Sequence, residues 1–273
     1  MSRVQKGDSL TEARVGDAVE KCRRGRVAVL PFLSPYEQKR AGRVLCAEGM
    51  QENAWFFGGY PDAERACLFL LPDYLCALLE QKPANSADME VQALIGEELE
   101  GAVCALRIHG SGYRTLSHRD YLGSILGLGV ERDVIGDIAV QNEHEAILFC
   151  TRSMAEFLIG SLTKVASDTV KCAFCILDES FTDGRRYAPI SDTVASPRLD
   201  CVVAALTNLS REEAQRAVTG GLVEVDFEPV ERVDLLLSPP ATVSVRGFGR
   251  YILRTFDGET KKGRLRLRAD RLI

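Results

Sequence analysis

The sequence predicts an α+β protein assembled from small consecutive domains. Three observations predict it. Short apolar runs of strand length alternate with capped, helix-periodic stretches from the N-terminus onward. From about residue 98 the pattern settles into the order β-α-β-β-α-β. Near the C-terminus two short helices are followed by a Gly-Gly stop and several strand-like segments. The chain of 273 residues, 46% hydrophobic and 27% charged, is long enough for more than one core.

Residues 1–84 read as a small α/β domain. A helix pattern covers roughly 10–23, and "RVAVLPF" is a short strand. "SPYEQKRAGRVLCAEG" opens with a capping box: Ser34 can accept from the Glu37 amide, Glu37 can reach back, and Pro35 suits the first helical position. "AWFFGGYP" and "ERACLFLLP" are strands around a Gly-Gly-Tyr-Pro turn, and "LEQKPANSAD" is a polar linker.

Residues 98–178 carry the split-βαβ order. "AVCALRIH", "IGDIAVQ", "EAILFC" and "TVKCAFCIL" are its strands; "SHRDYLGSILGLG" and "SMAEFLIGSLTKV" are its helices. This ferredoxin-like topology is also that of RNA-recognition modules, which stack bases on aromatics of the two central strands. Here those strands offer only Phe149, so the unit reads as a scaffold. "DESFTDGRRYAPISDTVASP" is then a loop or linker.

Residues 194–258 form a third domain. "RLDCVVAALTNL" is one helix, and "SREEAQRAVTGG" is a second with Ser210 as N-cap and Glu213 as its capping-box partner. "LVEVDF", "ATVSVR" and "GRYILRTF" are strands, and 259–273 reads as a basic tail.

His118-Arg119-Asp120 spells part of a kinase catalytic loop. A kinase would add a magnesium-holding Asn, a glycine-rich phosphate loop and an Asp-Phe-Gly, and none follows. Ser117 and Asp120 suit the start of a helix instead. His118 and Arg119, joined by Arg132, are placed to meet a phosphate there.

Net charge is −5, but it is uneven. Residues 246–273 hold nine Lys/Arg against three Asp/Glu, while the rest holds 25 of the 34 basic and 36 of the 39 acidic residues. Such asymmetry points to a polyanion at the basic end. No apolar run reaches the ~18 residues of a membrane span. The polar N-terminus and nine scattered cysteines imply a cytoplasmic protein with reduced thiols. Cys172-Ala-Phe-Cys175 lacks a second ligand pair, and its cysteines point to opposite faces of a strand, so no metal and no cofactor is expected. The three histidines join no carboxylate cluster, and no catalytic constellation is present.

The arginines of the third domain have a pattern. Arg198 begins one helix and Arg211 the next. Guanidinium forks and free helix amides would converge there on phosphate. Arg246 and Arg250 would line a second wall, where Gly247 and Gly249 admit a close backbone. Arg216, Lys261, Lys262 and Arg264 are further cationic candidates. Pairing of Arg198 and Arg211 with Asp200, Glu212 or Glu213 is the competing reading.

"RLD…LSREEAQRAVTGGLVEV" resembles the RNA-binding domain of the small-subunit ribosomal protein S-four, which recurs in pseudouridine synthases and ribosome-binding heat-shock proteins. Across nearly its full length the chain resembles the YlmH family, through "FLSPYEQ", "GGYPDAERA", "HRDYLGSILGLGVERDVIGDI", "SPRLD", "SR" and "SVRGFGRY". The resemblance implies a bacterial, non-catalytic RNA-binding protein of three domains: an α/β unit, an RNA-recognition-like unit and an S-four-type unit. It implies ribosomal RNA as partner, with tRNA nearby, on the large ribosomal subunit in translation or its quality control, and neither membrane nor DNA. Arg198, Ser210 and Arg211 match RNA-facing positions, and Arg246 and Arg250 match the basic "RGFGR" segment. One departure stands out: where the S-four-type pattern has an Asn followed by basic residues, this chain has Asp226 among Glu224, Glu228, Glu231 and Asp234. Acid repels phosphate, which moves weight to the two arginine helices. Two other function classes compete: a pseudouridine synthase-like enzyme acting through Asp200, and a cell-division adaptor using the acidic N-terminal two-thirds.

Overall fold

The computed structural model describes residues 3–79, 103–178 and 180–273. Most of the expected linker, and the domain boundaries expected at 84 and 98, lie outside the described residues. The fold is α+β, with two compact units, Met1–Gly184 and Arg185–Ile273.

The first unit begins with α1 (Arg3–Arg23), β1 (Ala28–Leu33), α2 (Pro35–Glu48), β2 (Ala54–Phe57), β3 (Ala66–Leu70) and α3 (Asp73–Leu79). The strands form an antiparallel sheet in the order β1-β3-β2. The Ser34–Glu37 capping box is present, with Pro35 opening α2, and Gly49 ends α2 in the left-handed conformation. α1 and α2 bury Val15, Val19, Ala41 and Leu45 against Leu30, Leu68 and Leu70 on one face of the sheet.

The unit continues with β4 (Val103–Gly110), α4 (His118–Gly127), β5 (Ile135–Asn142), β6 (Glu145–Thr151), α5 (Arg152–Ser161), β7 (Lys164–Val165) and β8 (Asp168–Cys175). The sheet order is β5-β6-β4-β8-β7, all antiparallel, with β7 a two-residue addition at the edge of the split-βαβ pattern. Tyr121, Ile125, Ala155 and Leu158 of the helices pack on Leu106, Ile108 and Leu148. Cys172 sits on this helical side and Cys175 on the other, as strand alternation requires.

The opposite face of that sheet is where an RNA-recognition module would stack bases. Here Phe149 is buried beneath the first sheet, its ring 4.9 Å from Tyr60 and 5.9 Å from Phe181. Phe32, Phe69, Ile147 and Phe149 share one core, so the two sheets pack face to face. Two glycines make the approach possible. A Cβ on Gly59, whose φ is 104°, would lie 2.2 Å from the Phe149 ring, and one on Gly136 would lie 2.5 Å from Phe32.

A polar knot closes the same junction. The Asp137 carboxylate accepts from the Tyr60 hydroxyl (2.8 Å) and the amides of Glu64 (2.7 Å) and Arg65 (3.1 Å). Arg65 donates to the carbonyls of Ile135, Phe32 and Arg132. Arg132 donates to those of Ile135 and Gly136. Burial lowers the pKa of both arginines, that of Arg132 to about 10 with the Arg65 charge adding to the effect.

The second unit holds β9 (Tyr187–Val194), α6 (Leu199–Thr207), α7 (Arg211–Thr219), β10 (Val223–Val225), β11 (Glu228–Pro229), β12 (Ala241–Val245), β13 (Gly249–Glu259) and β14 (Leu265–Leu272). Its antiparallel sheet runs β11-β10-β12-β13-β14-β9. Two expectations change here. The stretch read as a linker before residue 197 contains β9, and the basic tail at 259–273 is mostly β14, an interior strand. Its period of two is visible once charge is set aside. Leu265, Leu267 and Ala269 turn to the core, while Arg266 and Arg268 point away from it. α6 and α7 cover that core with Val202, Val203, Leu206, Ala214 and Val218.

Candidate RNA-binding site

The centre of the site is a carboxylate. Asp200, in the first turn of α6, is 0% exposed and accepts five hydrogen bonds. Arg198 grips it with two nitrogens, Nε to Oδ1 at 3.1 Å and a terminal nitrogen to Oδ2 at 3.2 Å. Arg211 reaches Oδ2 at 3.2 Å, Gln215 at 2.8 Å, and the Cys201 amide meets Oδ1 at 3.0 Å. Burial is the largest single influence on this acid and opposes its charge. The bonds from Arg198, Gln215 and Arg211 outweigh it together and hold the carboxyl well below the usual carboxylate range.

The competing ion-pair reading therefore describes the geometry, with Asp200 as the shared partner. Both guanidiniums remain part in solvent, Arg198 34% and Arg211 57% exposed. Two cations on one anion leave a net positive, rigidly held pair at the surface. A guanidinium has five N–H donors, so binding one carboxylate leaves others for phosphate.

The helix amides do not join them at α6. The Leu199 and Asp200 amides donate to the Leu235 and Val233 carbonyls, and the Cys201 amide to Asp200 itself. A loop crossing the start of the helix thus closes the expected anion site. At α7, Ser210 is the N-cap, and its oxygen takes the Glu213 amide while Glu213 takes the Ser210 amide. Glu212 and Glu213 in that first turn oppose a phosphate. The cationic character rests on side chains.

The other candidates separate. Arg264 and Arg211 line one surface cavity of about 280 Å³, together with Asp192, Val194, Cys201, Ala204 and Ala205. Lys261 and Lys262 are exposed in the β13–β14 turn just before Arg264. Arg216 is exposed five positions beyond Arg211, well around α7 from it.

Arg250 is on β13 opposite Ser244, out of phase with Val243 and Tyr251, which face the helices. It therefore belongs to the sheet face away from Arg198 and Arg211, where it lies 5.1 Å from the Phe227 ring centre. Arg246 is exposed in the turn before β13. The expected second wall of one groove is instead a separate surface, because strand alternation turns Arg250 outward. Glu224 shares its outward row through Ser244. Asp226 is engaged locally, accepting the Thr242 amide at 2.8 Å from a left-handed turn.

In the first unit, Ser117 and Asp120 form a capping box. His118 and Arg119 are exposed. Desolvation, then the Arg132 charge, lowers the His118 pKa. Arg132 itself is turned to backbone carbonyls of the junction, which departs from the expected phosphate contact. Asp200, Gln215 and Asp192 were not among the sequence's RNA candidates. The two-residue spacing of Arg198 and Asp200 was the available signal for the first; nothing local marked the others.

The fold is a mixed α+β one that presents two arginines over a buried acid, and comparison with known proteins gives the family. Residues 102–179 match the family model described as "Putative RNA-binding domain in YlmH". A Bacillus subtilis (strain 168) protein, "Ribosome-associated protein quality control protein P2", is 30% identical over 248 residues, covering 90% of this chain and 88% of that one. A solved structure, "Cell division protein ylmH from Streptococcus pneumoniae", is 20% identical with a TM-score of 0.47, covering 64% of this chain and 93% of that chain. The chain belongs to the YlmH family.

Proposed function

We propose that the protein binds RNA on the ribosome, in the cytoplasm and without chemistry of its own. Its ligand is ribosomal RNA with tRNA nearby, on the large subunit, and its role lies in translation quality control. The name of the Bacillus subtilis relative supports the setting, and the match to the YlmH RNA-binding domain supports the ligand class. The observation that carries the reading is the Arg198–Asp200–Arg211 cluster in the second unit, which we read as an S-four-type module. Asp200 fits an organising role: its carboxylate is enclosed and fully hydrogen-bonded, whereas a catalytic aspartate must touch its base.

Sucrose-gradient sedimentation of lysate tests this, comparing wild type with Arg198→Glu/Arg211→Glu at low and high salt. Wild type should travel with the large subunit at low salt and leave it at high salt, because phosphate contacts release counterions. The folded variant should stay at the top. A folded variant that sediments like wild type would refute the site, and wild type at the top in both salts would refute the ribosomal setting.

A further inference from the structure

The cavity beside Arg211 has a composition that the phosphate-binding reading does not require. Ala204 and Ala205 of α6, with Cys201 and Val194, give it an apolar floor. Arg211 stands at its margin, held by Asp200, and Arg264 is held by Thr193, whose hydroxyl accepts from Nε at 3.0 Å and whose carbonyl accepts from a terminal nitrogen. Both guanidiniums are thus oriented before any ligand arrives. Asp192 adds an exposed carboxylate to the lining; its Oδ1 accepts the Thr193 amide at 2.6 Å. Continuous backbone recognition uses cations and neutral donors and has no use for a carboxylate. A small-residue floor, two oriented guanidiniums and one carboxylate suit a base with its phosphate.

We infer that this cavity takes a single unpaired guanine nucleotide of the bound RNA, its base on the alanine floor, its phosphate between Arg211 and Arg264, and its N–H edge on Asp192. This rests on the RNA-binding reading and names the feature of the RNA that the site selects. The volume, about 280 Å³, falls just below the usual range of ligand cavities, which restricts the occupant to about one nucleotide. Alanine at both floor positions leaves room for a flat ring. Guanine presents two adjacent N–H donors on one edge, and a carboxylate offers only acceptors, so their pairing is bidentate and charge-assisted. Uracil presents one such donor beside two carbonyls that a carboxylate repels. Extruding a base costs least where it is already unpaired, so a bulge or loop is the natural target.

The test is fluorescence anisotropy of the full chain with RNA hairpins that differ only in one bulged nucleotide, beside the fully paired hairpin. Wild type should bind the bulged-guanine hairpin about tenfold tighter than the paired one or the bulged-uracil one. Asp192→Asn should remove the preference for guanine over uracil. Ala205→Met, which fills the floor from a helix position that accepts Met, should remove the preference for any bulge. Both variants should still bind the paired hairpin in a salt-dependent way, Asp192→Asn at least as tightly as wild type because a negative charge near phosphate is gone. Equal wild-type binding of all hairpins, lost in Arg198→Glu/Arg211→Glu, would overturn the pocket assignment while leaving the RNA-binding reading intact. A guanine preference that survives both Asp192→Asn and Ala205→Met would overturn it too. Binding of no hairpin at all would remove both readings.

Discussion

At the scale of single residues the second unit depends on Asp200. It is a buried charge satisfied from four side chains and backbone groups at once: Arg198, Arg211, Gln215 and the Cys201 amide. Replacing it with Ala strands no fully buried cation, because both arginines reach solvent. The expected cost is therefore that of the lost charge-assisted bonds, about 1–3 kcal/mol in urea unfolding. RNA affinity should fall as well, because the arginines lose their orientation. The acid also sets a pH dependence. Its folded pKa lies below its unfolded one, near ~3.9, so its stabilising contribution is complete above that value, shrinks as pH falls below it and is gone only below the folded pKa. Asp200→Asn should be less stable than wild type at pH 7, and the gap should narrow at pH 3, closing only below the folded pKa. An equal gap at both pH values would show that the carboxylate's charge is not what stabilises the unit.

Among elements, helix starts and sheet junctions decide the most. Among the described residues, three capping boxes, at Ser34, Ser117 and Ser210, fix where α2, α4 and α7 begin. Ser210→Ala should cost about 1 kcal/mol and should loosen Arg211, the next residue, so thermal unfolding and RNA affinity should fall together. The sheet-on-sheet junction is less forgiving. A methyl group on Gly136 meets Phe32 at 2.5 Å, inside a packed core. Gly136→Ala should destabilise the first unit by about 1–3 kcal/mol, whereas the same change at Gly123, inside α4 with open space around it, should stabilise by up to about 1 kcal/mol. Comparable chemical-denaturation midpoints for the two variants would contradict the packing described.

For the whole molecule, the two units differ in self-sufficiency. Unit Arg185–Ile273 buries its own core, from Val194 and Leu199 to Leu267 and Ala269. Expressed alone it should unfold cooperatively and keep the salt-sensitive RNA binding of the full chain; a molten fragment by near-ultraviolet dichroism would contradict this. The split-βαβ segment cannot stand alone in the same way. Cutting away residues 1–79 would uncover Ile147, Phe149 and Phe181, which pack with the first sheet. Residues 103–184 alone should bind a hydrophobic dye and aggregate. That same packing explains why the face used for base stacking in RNA-recognition modules has no such role here.

Local rules were enough for much of this. Capping boxes, the β-α-β-β-α-β order, the two short helices and the opposed Cys172 and Cys175 all depend on neighbours within a few residues, so the sequence carries them directly. The pairing of Arg198 with Asp200 was readable for the same reason. What escaped was non-local. β14 was hidden because its arginines dominate the composition, and only pairing on both sides shows that Leu265, Leu267 and Ala269 face a core. Arg250 lies on the face opposite the expected wall, because which face a strand residue takes depends on which side the helices settle. The sequence by itself determined an α+β chain with a cationic, helix-borne arginine cluster near its end. Only the tertiary structure decided that one buried aspartate gathers both arginines, that Arg264 joins Arg211 at a cavity, and that the two sheets of the first unit cover each other. Each of these joins residues distant in the chain, and burial, which sets the strength of charge and the cost of a methyl group, exists only once the chain has folded.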